Sequence, residues 1–188
     1  KVPLVIRGPG GAANQLSAQH SHSVEGWYAH CPGLKVVAPA TPACAKGLLR
    51  SAIRDDNPVI FTENPGLYGL KGDVPDDPDF TVPFGKARIA REGKDVSLVA
   101  YSRMVHVCLA AAETLAKEGI EAEVVDVRSL LPLDTETIYA SVRKTNRAVV
   151  VYEDWKSGGF GAEIAARIGE DCFDDLDAPV GRVGGLNV

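Results

Sequence analysis

The sequence has no long apolar run, no excess of positive charge and no closely spaced cysteine pair. None of its apolar stretches approaches the roughly 18 residues that a membrane-spanning helix needs. Lys and Arg number 20 against 25 Asp and Glu, for a net charge of −5. This balance argues against a nucleic-acid partner, which would require a basic face. The cysteines form no C-x-x-C pair and have apolar neighbours, which favours four reduced thiols at Cys31, Cys44, Cys108 and Cys172.

Several catalytic and processing signals are also missing. No Ser-centred nucleophile elbow is present, and Arg7–Gly11 lacks both the Lys-Ser/Thr ending of a P-loop and the spacing of a Rossmann turn. Lys1 stands directly before strand-like sequence, with no basic-then-apolar leader, so we expect the chain to be a piece of a longer protein. What is present is ordinary globular composition, with 45% hydrophobic and 24% charged residues among 188. That length suffices for one large or two small domains.

The first segment, residues 1–64, alternates strand-like and helix-like patterns. Alternation of this kind predicts a parallel sheet. Its second helix is well signalled, because Thr41 suits the N-cap and Pro42 suits the first helical position. The predicted elements are a strand at Val2–Ile6, a helix over about 14–30, a strand at Leu34–Ala38, a helix at Pro42–Asp55 and a strand at Val59–Glu63.

Residues 65–84 are rich in Gly, Pro and Asp and show no periodicity, which predicts a linker. Residues 85–188 then form a second α/β segment. Its first strand is almost entirely apolar, as in strands that are buried on both faces. The predicted elements are strands at Val96–Tyr101, Ala122–Val127, Ala148–Tyr152 and Val180–Val183, and helices from Met104 to about Gly119, from Thr135 to Lys144 with Asp134 as N-cap, and from Gly161 to Ile168.

His20 is the residue that this pattern marks for chemistry. It follows the glycine turn at the end of the first strand, where parallel α/β sheets place their ligand crevices. Ser17, Gln19 and Ser21 could fix its tautomer, so His20 could exchange protons near neutral pH. The alternative is a solvated or packed histidine without a role. A metal cluster with His22 and His30 is disfavoured, because that spacing lacks the i, i+4 pair of helical zinc sites.

The end of the Pro42–Asp55 helix is a second candidate site. The last carbonyl groups of a helix have no partner within it. Such carbonyls, together with the side chain of Asn57, suit a monovalent cation, and ordinary capping is the alternative. The glycine turn at Gly158–Gly161 could bind an anion at a helix N-terminus, or serve as a structural hinge.

Distinctive short motifs occur in order along the whole chain. They include Arg-Gly-Pro-Gly-Gly at Arg7–Gly11, Ala-Gln-His-Ser at Ala18–Ser21 and Cys-Pro-Gly-Leu-Lys-Val-Val at Cys31–Val37. Further motifs are Ser-Ala-Ile-Arg-Asp at Ser51–Asp55, Pro-Phe-Gly-Lys-Ala at Pro83–Ala87, Asp-Val-Arg-Ser-Leu at Asp126–Leu130 and Gly-Phe-Gly-Ala-Glu-Ile at Gly159–Ile164. Together these motifs resemble the beta-subunit family of pyruvate dehydrogenase, a thiamine-diphosphate-dependent 2-oxoacid dehydrogenase.

This resemblance implies a fold and a division of labour. Residues 1–64 would be the second half of a transketolase-like pyrimidine-binding domain, and residues 85–188 a transketolase-type C-terminal domain. Both would be α/β, with mainly parallel sheets flanked by helices. The implied partners are an alpha subunit, a second beta subunit and the lipoyl-bearing dihydrolipoyl acyltransferase core. Thiamine diphosphate would be shared with the alpha subunit, which would hold Mg²⁺, in keeping with the lack of a Gly-Asp-Gly motif here.

The resemblance also assigns site residues. His20 would be the histidine at the reacting centre, and no residue of this chain is assigned to cofactor binding. A potassium shell, formed mostly by main-chain oxygens, would consist of Leu4, Ala52, Ile53, Asp55 and Asn57. His22 departs from the usual Gln, and the cofactor-activating glutamate has no counterpart. The chain alone is therefore expected to be inactive and to self-associate through the apolar edge at Val2–Ile6.

The implied activity is oxidative decarboxylation of pyruvate with acetyl transfer to lipoamide, which feeds acetyl-CoA formation. Acetoin and branched-chain 2-oxoacid dehydrogenases share most of these motifs and remain alternatives. A non-catalytic oligomerisation or binding module is a third. The expected location is the cytoplasm for a bacterial protein, or an organellar matrix or stroma for a eukaryotic one.

Overall fold

The computed structural model describes residues 1–12, 17 and 21–186. Within these residues the chain forms nine strands and five α-helices. In chain order they are β1 (Val5–Pro9), α1 (Glu25–Ala29), β2 (Lys35–Val37), α2 (Pro42–Ile53), β3 (Val59–Glu63), β4 (Arg88–Arg91), β5 (Val96–Ala100), α3 (Met104–Lys117), β6 (Ala122–Asp126), β7 (Ser129–Leu131), α4 (Thr135–Thr145), β8 (Ala148–Trp155), α5 (Phe160–Asp171) and β9 (Gly181–Gly185).

The first sheet has the strand order β1-β3-β2-β7. Strands β1 and β2 both run parallel to β3, with Val5 and Lys35 each opposite Val59. Strand β7 comes from much later in the chain and pairs antiparallel with β2. Strand β1 is an edge strand of this sheet. Ile6 within it and Leu4 just before it are each 47% exposed.

The second sheet has the order β4-β6-β5-β8-β9. Strands β6, β5, β8 and β9 are parallel to one another, and in the described part of this sheet only β4 pairs antiparallel, with β6. Helices α3, α4 and α5 pack against this sheet. Two mainly parallel sheets flanked by helices confirm the predicted α/β class.

Helix α2 forms as its sequence signals indicate. The Thr41 hydroxyl accepts a hydrogen bond from the Cys44 N–H at 3.2 Å, and Pro42 is the first helical residue. The apolar face of the helix packs against the first sheet, which orients the helix end towards the start of β3. This face contributes Cys44, Leu48 and Ala52, which cluster with Val37, Val59 and Phe61.

The predicted linker lies along α2. A short 3₁₀ helix spans Pro65–Leu67. Between Leu67 and Arg88 the structure describes every residue and shows no further helix or strand. Ser51 donates a hydrogen bond to the carbonyl oxygen of Val82 at 2.6 Å, and Lys46 and Arg50 bind linker carbonyls as well. The division into residues 1–64, 65–84 and 85–188 stays a prediction, and β7 crosses it by joining the first sheet.

The main core is shared by the two sheets. It combines Val36 and Ile60 from the first sheet with Val99 and Tyr152 from the second. The Ala38 N–H also donates to the Arg128 carbonyl at 2.8 Å, directly between the two sheets. All four cysteines are free, and Cys31 alone among them is exposed. The carboxyl ends of β1, β3 and β8 meet at one junction, where the Gly10 N–H binds the Glu63 carbonyl and Glu153 binds the Ala12 N–H.

Two predicted elements were wrong in the described residues. The first strand is Val5–Pro9 rather than Val2–Ile6, because parallel pairing with β3 continues to Pro9 opposite Glu63. The helix predicted over 14–30 is α1 alone where it is described, since residues 21–24 are not helical. The His22 carbonyl there accepts a hydrogen bond from the Gly11 N–H, so it does not serve a helix. Residues 14–16 and 18–20 lie outside the described part.

Strands β4 and β7 were not anticipated, and the other differences are shifts of element ends. Helix α2 ends at Ile53 instead of Asp55, β8 continues to Trp155, and β9 spans Gly181–Gly185. Asp134 caps α4 as predicted, with its carboxylate accepting the Thr137 N–H at 3.2 Å. In the described ranges, no helix combines the length and the apolar character that crossing a membrane requires.

Candidate functional site

The glycine turn after β1 is fastened at two points. The Gly10 N–H donates to the Glu63 carbonyl at the end of β3, and the Gly11 N–H donates to the His22 carbonyl, each at 2.7 Å. Gly11 has φ +91°, in the left-handed region that favours glycine. The described residues on either side of the 13–20 segment are therefore held next to each other.

Glu153 reaches this turn from the end of β8. Its Oε1 accepts a hydrogen bond from the Ala12 N–H at 3.2 Å, and its Oε2 accepts one from Asn64 Nδ2 at 2.5 Å. Arg103 Nη1 lies 3.4 Å from Oε1. A Cβ on Gly11 would come within 2.7 Å of both Glu153 Oε2 and Asn64 Nδ2, so the contact admits only glycine.

A buried acidic group lies behind the turn. Glu25 begins α1 and is 7% exposed, Tyr101 follows β5 and is 2% exposed, and Asp154 is 6% exposed. Burial raises the pKa of Glu25 to about 7. Burial also raises the pKa values of Tyr101 and Asp154. Glu25 can therefore hold a proton near neutral pH, because water is not available to stabilise the charged form of its carboxyl group.

The Tyr101 hydroxyl interacts electrostatically with the Glu25 carboxyl, yet it makes no hydrogen bond of ordinary geometry within the described chain. A cavity of about 30 Å³ lies between these groups and the glycine turn, lined also by Ser23 and Asn64. A cavity of this size can hold a water molecule. It is far smaller than the several hundred cubic ångströms of a typical ligand pocket.

Two indole rings flank His22 beside the turn. The centroid of its imidazole lies 5.5 Å from that of Trp155 and 6.2 Å from that of Trp27. Its Nδ1 is buried and has no hydrogen-bond partner among the described residues. The residue that departs from the usual Gln of the resembled family therefore packs against aromatic rings and uses its carbonyl oxygen on the turn.

The residues predicted to bind a monovalent cation surround the end of α2. The Leu4 carbonyl accepts the Val59 N–H at 2.9 Å, and the Ala52 carbonyl accepts the Asp55 N–H at 3.3 Å. A carbonyl oxygen has two lone pairs, so the Leu4 carbonyl could still bind a cation, whereas the Ala52 carbonyl also accepts the Arg54 N–H. Ile53 is at the surface, 67% exposed.

The side chains of Asp55 and Asn57 are already engaged with other groups. The Asp55 carboxylate accepts both the N–H and the side-chain amide of Asn57, at 2.8 and 3.0 Å. The Lys35 ammonium pairs with the same carboxylate and holds the pKa of Asp55 below its usual range. The potassium shell therefore stays a prediction, in which the cation would bind main-chain oxygens because the carboxylate is already balanced by Lys35.

Comparison with known proteins places this geometry in a family. Residues 85–188 match the family model of the transketolase C-terminal domain. The chain belongs to that family. Residues 1–71 match the model of the transketolase pyrimidine-binding domain, so both the fold class and the resemblance seen in the sequence are confirmed.

Curated relatives are similar along the full length of this chain. It is 56% identical to the mitochondrial pyruvate dehydrogenase E1 component subunit beta of Drosophila melanogaster, with 100% of this chain and 52% of the relative covered. The subunit from Rattus norvegicus is 52% identical, with 100% and 53% covered. The beta-2 subunit of Oryza sativa is 53% identical, with 100% and 50% covered. The chain thus spans about half the length of these relatives.

A solved structure has the same fold. It is described as a split-gene transketolase, an inactive beta4 tetramer, and it superposes with a TM-score of 0.78 at 30% identity. The match covers 98% of this chain and 58% of that one. Strands and helices from both segments therefore have counterparts in one known transketolase fold.

His20 lies outside the described residues, so its role stays a prediction. The structure does bring together residues that sequence reasoning gave no role. Glu63 and Glu153 bind the glycine turn, and Asn64 binds Glu153, yet no sequence motif assigned a function to any of the three. Glu25 carried no signal, because a carboxylate in the first turn of a helix is ordinary and its burial depends on β5 and β8.

Proposed function

We propose that this chain provides the beta-subunit part of pyruvate dehydrogenase, in the oxidative decarboxylation of pyruvate with acetyl transfer to lipoamide. The observation that carries the proposal is 52–56% identity to such subunits over essentially the entire chain. No other function has a comparable observation in its favour. The proposed partners are an alpha subunit, a second beta subunit and the lipoyl-bearing acyltransferase core.

In this proposal thiamine diphosphate supplies the carbanion chemistry and is held mainly by the alpha subunit with its Mg²⁺. The cavity of about 30 Å³ at the glycine turn cannot enclose that cofactor. This chain would instead provide one wall of a shared site. The names of the relatives place those proteins in mitochondria, and we propose an organellar matrix for this one.

Within the shared site, His20 is proposed to donate and accept protons at the reacting centre. The glycine turn is held by the Glu63 and His22 carbonyls and by the Glu153 carboxylate, which supports a pre-organised wall for this site. The end of α2, with Leu4, Ala52, Ile53, Asp55 and Asn57, is proposed to bind K⁺ through main-chain oxygens. Such a cation would stabilise the junction between the end of α2 and the start of β3, which lies next to the start of β1.

The test is reconstitution with an alpha subunit of the same family, followed by an assay of pyruvate-dependent lipoamide acetylation. His20→Ala should lower turnover by about 10²–10⁴, the range for loss of general acid–base catalysis. Turnover within threefold of the parent protein would refute the role of His20. Faster turnover of a branched-chain 2-oxoacid or of acetoin than of pyruvate would instead refute the substrate.

A further inference from the structure

Glu153 holds together residues that are far apart in the sequence. It is 141 residues from Ala12 and 89 from Asn64, and it binds both. Its side chain is only 13% exposed, and it also lies 3.4 Å from Arg103 Nη1. Glu153 therefore cannot be explained as a surface charge that faces solvent.

Asn64 completes the arrangement on the side of the first sheet. It is 5% exposed. Its Oδ1 accepts the Gly66 N–H at 3.0 Å, which leaves its Nδ2 to donate to Glu153. The orientation of the amide is thereby fixed. A buried amide that loses its acceptor is destabilised, since it cannot recover the hydrogen bond from water.

The turn between these two side chains has little room to move. Gly11 is packed against Glu153 and Asn64, and its N–H holds the His22 carbonyl. The Glu153 carboxylate thus fixes Ala12 directly, and the neighbouring Gly11 N–H ties His22, on the other side of the 13–20 segment, to the same turn. A shift of about 1 Å at an element that positions reacting groups can cost a factor of about 100 in rate.

We infer that Glu153 is a positioning residue that, together with Asn64, clamps the glycine turn in the conformation that the reaction requires. The role in the reaction rests on the proposed function. The clamp, meaning the contacts of Glu153 and Asn64 with the glycine turn, is a feature of this chain's own structure. Glu153 makes no contact with substrate in this view and acts through the turn.

The structure offers a swap that separates the clamp from general stability. In Glu153→Gln an NH2 group replaces one of the two acceptor oxygens, so one of the two contacts, with the Asn64 amide or with the Ala12 N–H, becomes donor against donor. In Asn64→Asp two carboxylates face each other. In the double variant Asn64→Asp/Glu153→Gln, the Gln amide can donate to Asp while the Gln oxygen accepts the Ala12 N–H, and the Asp still accepts the Gly66 N–H. The matched control is Glu163→Gln, which alters a half-exposed carboxylate paired with Arg167 on α5.

Two readouts decide the inference. Hydrogen exchange of the amides in residues 10–12 should become about tenfold faster in each single variant, as expected for one lost hydrogen bond, and should return towards the parent rate in the double variant. In the reconstituted enzyme, kcat should fall about tenfold in Glu153→Gln with KM for the oxo acid within twofold, and should recover in the double variant. Glu163→Gln should change neither quantity.

If the amides of residues 10–12 exchange at the parent rate in Glu153→Gln, the clamp is refuted. It is also refuted if the double variant folds but these amides still exchange as fast as in the single variants. Unchanged kcat in a variant with faster exchange would overturn the positioning role. If Glu153→Gln does not fold, Asn64→Asp and the double variant give the same comparison. A parent protein without lipoamide acetylation would contradict the proposed function, while the exchange measurements would still decide the clamp.

Discussion

Glu25 should make the stability of this protein fall as the pH rises. Burial raises its pKa from the usual 4.5 to about 7, so the folded protein retains a proton that the unfolded chain releases. Each pKa unit corresponds to about 1.4 kcal/mol. The total cost of ionising Glu25 in the folded protein is therefore about 3 kcal/mol, which is large beside the 5–15 kcal/mol that stabilises a typical domain.

The sign follows from the direction of the pKa change. Below pH 4.5 both states are protonated, so Glu25 imposes no cost. As the pH rises from 4.5 to 7 the unfolded state loses its proton first, and the cost grows to its full value once the folded state also ionises. Glu25→Gln cannot ionise. Its free energy of unfolding, relative to that of the parent protein, should therefore increase by about 2 kcal/mol from pH 5 to pH 8.

Urea unfolding of the parent and of Glu25→Gln at several pH values between 5 and 8 measures this difference. The control is Glu170→Gln on α5, where the carboxylate is exposed. Tyr101→Phe adds a second test, because the Tyr101 hydroxyl favours the charged carboxylate. Its removal should move the pH dependence to higher pH. Parallel stability curves for the parent and Glu25→Gln would show that Glu25 is not the buried acid described above.

Two further predictions concern packing and ion binding. Gly161→Ala should destabilise the protein by about 2 kcal/mol or more in thermal unfolding, as an overpacked core does, because the new Cβ would lie 2.0 Å from the Tyr152 ring. The control is Gly169→Ala in the same helix, where a Cβ would meet no atom within 4 Å and should stabilise the protein by up to about 1 kcal/mol. Equal effects of the two substitutions would contradict the Gly161–Tyr152 contact. K⁺ should raise the melting temperature more than Na⁺ at equal ionic strength, since only specific binding to the folded state does so. Asn57→Ala removes the side-chain oxygen that the sequence predicts beside the main-chain oxygens and should reduce the difference. An identical response to both cations in the parent would argue against the proposed site.

Local signals gave correct elements where a few neighbouring residues decide the backbone. Thr41 and Pro42 at the start of α2, and Asp134 at the start of α4, satisfy helix N-termini within one turn. The alternation of strands and helices gave the parallel pairing, because crossover helices leave parallel neighbours. The resemblance of the motifs to one family was confirmed by comparison over the whole chain.

The sequence could not show β7. This strand has three residues, too few for any periodicity, and it leaves its own segment to pair with β2. The boundary of the first helix was wrong for a related reason. The His22 carbonyl binds a glycine turn eleven residues away, and such a bond overrides the helical tendency of the polar residues before α1.

The sequence by itself determined the fold class, most of the helices and strands, and the family to which the chain belongs. Those features depend on residues that are close together in the chain or on motifs that occur in order. Only the tertiary structure decided that Glu153 and Asn64 would meet at the glycine turn and that the Glu25 carboxyl group would be buried away from solvent. Both outcomes depend on where two separate sheets touch, because a carboxylate acquires its partners and its pKa from neighbours that can be more than a hundred residues away.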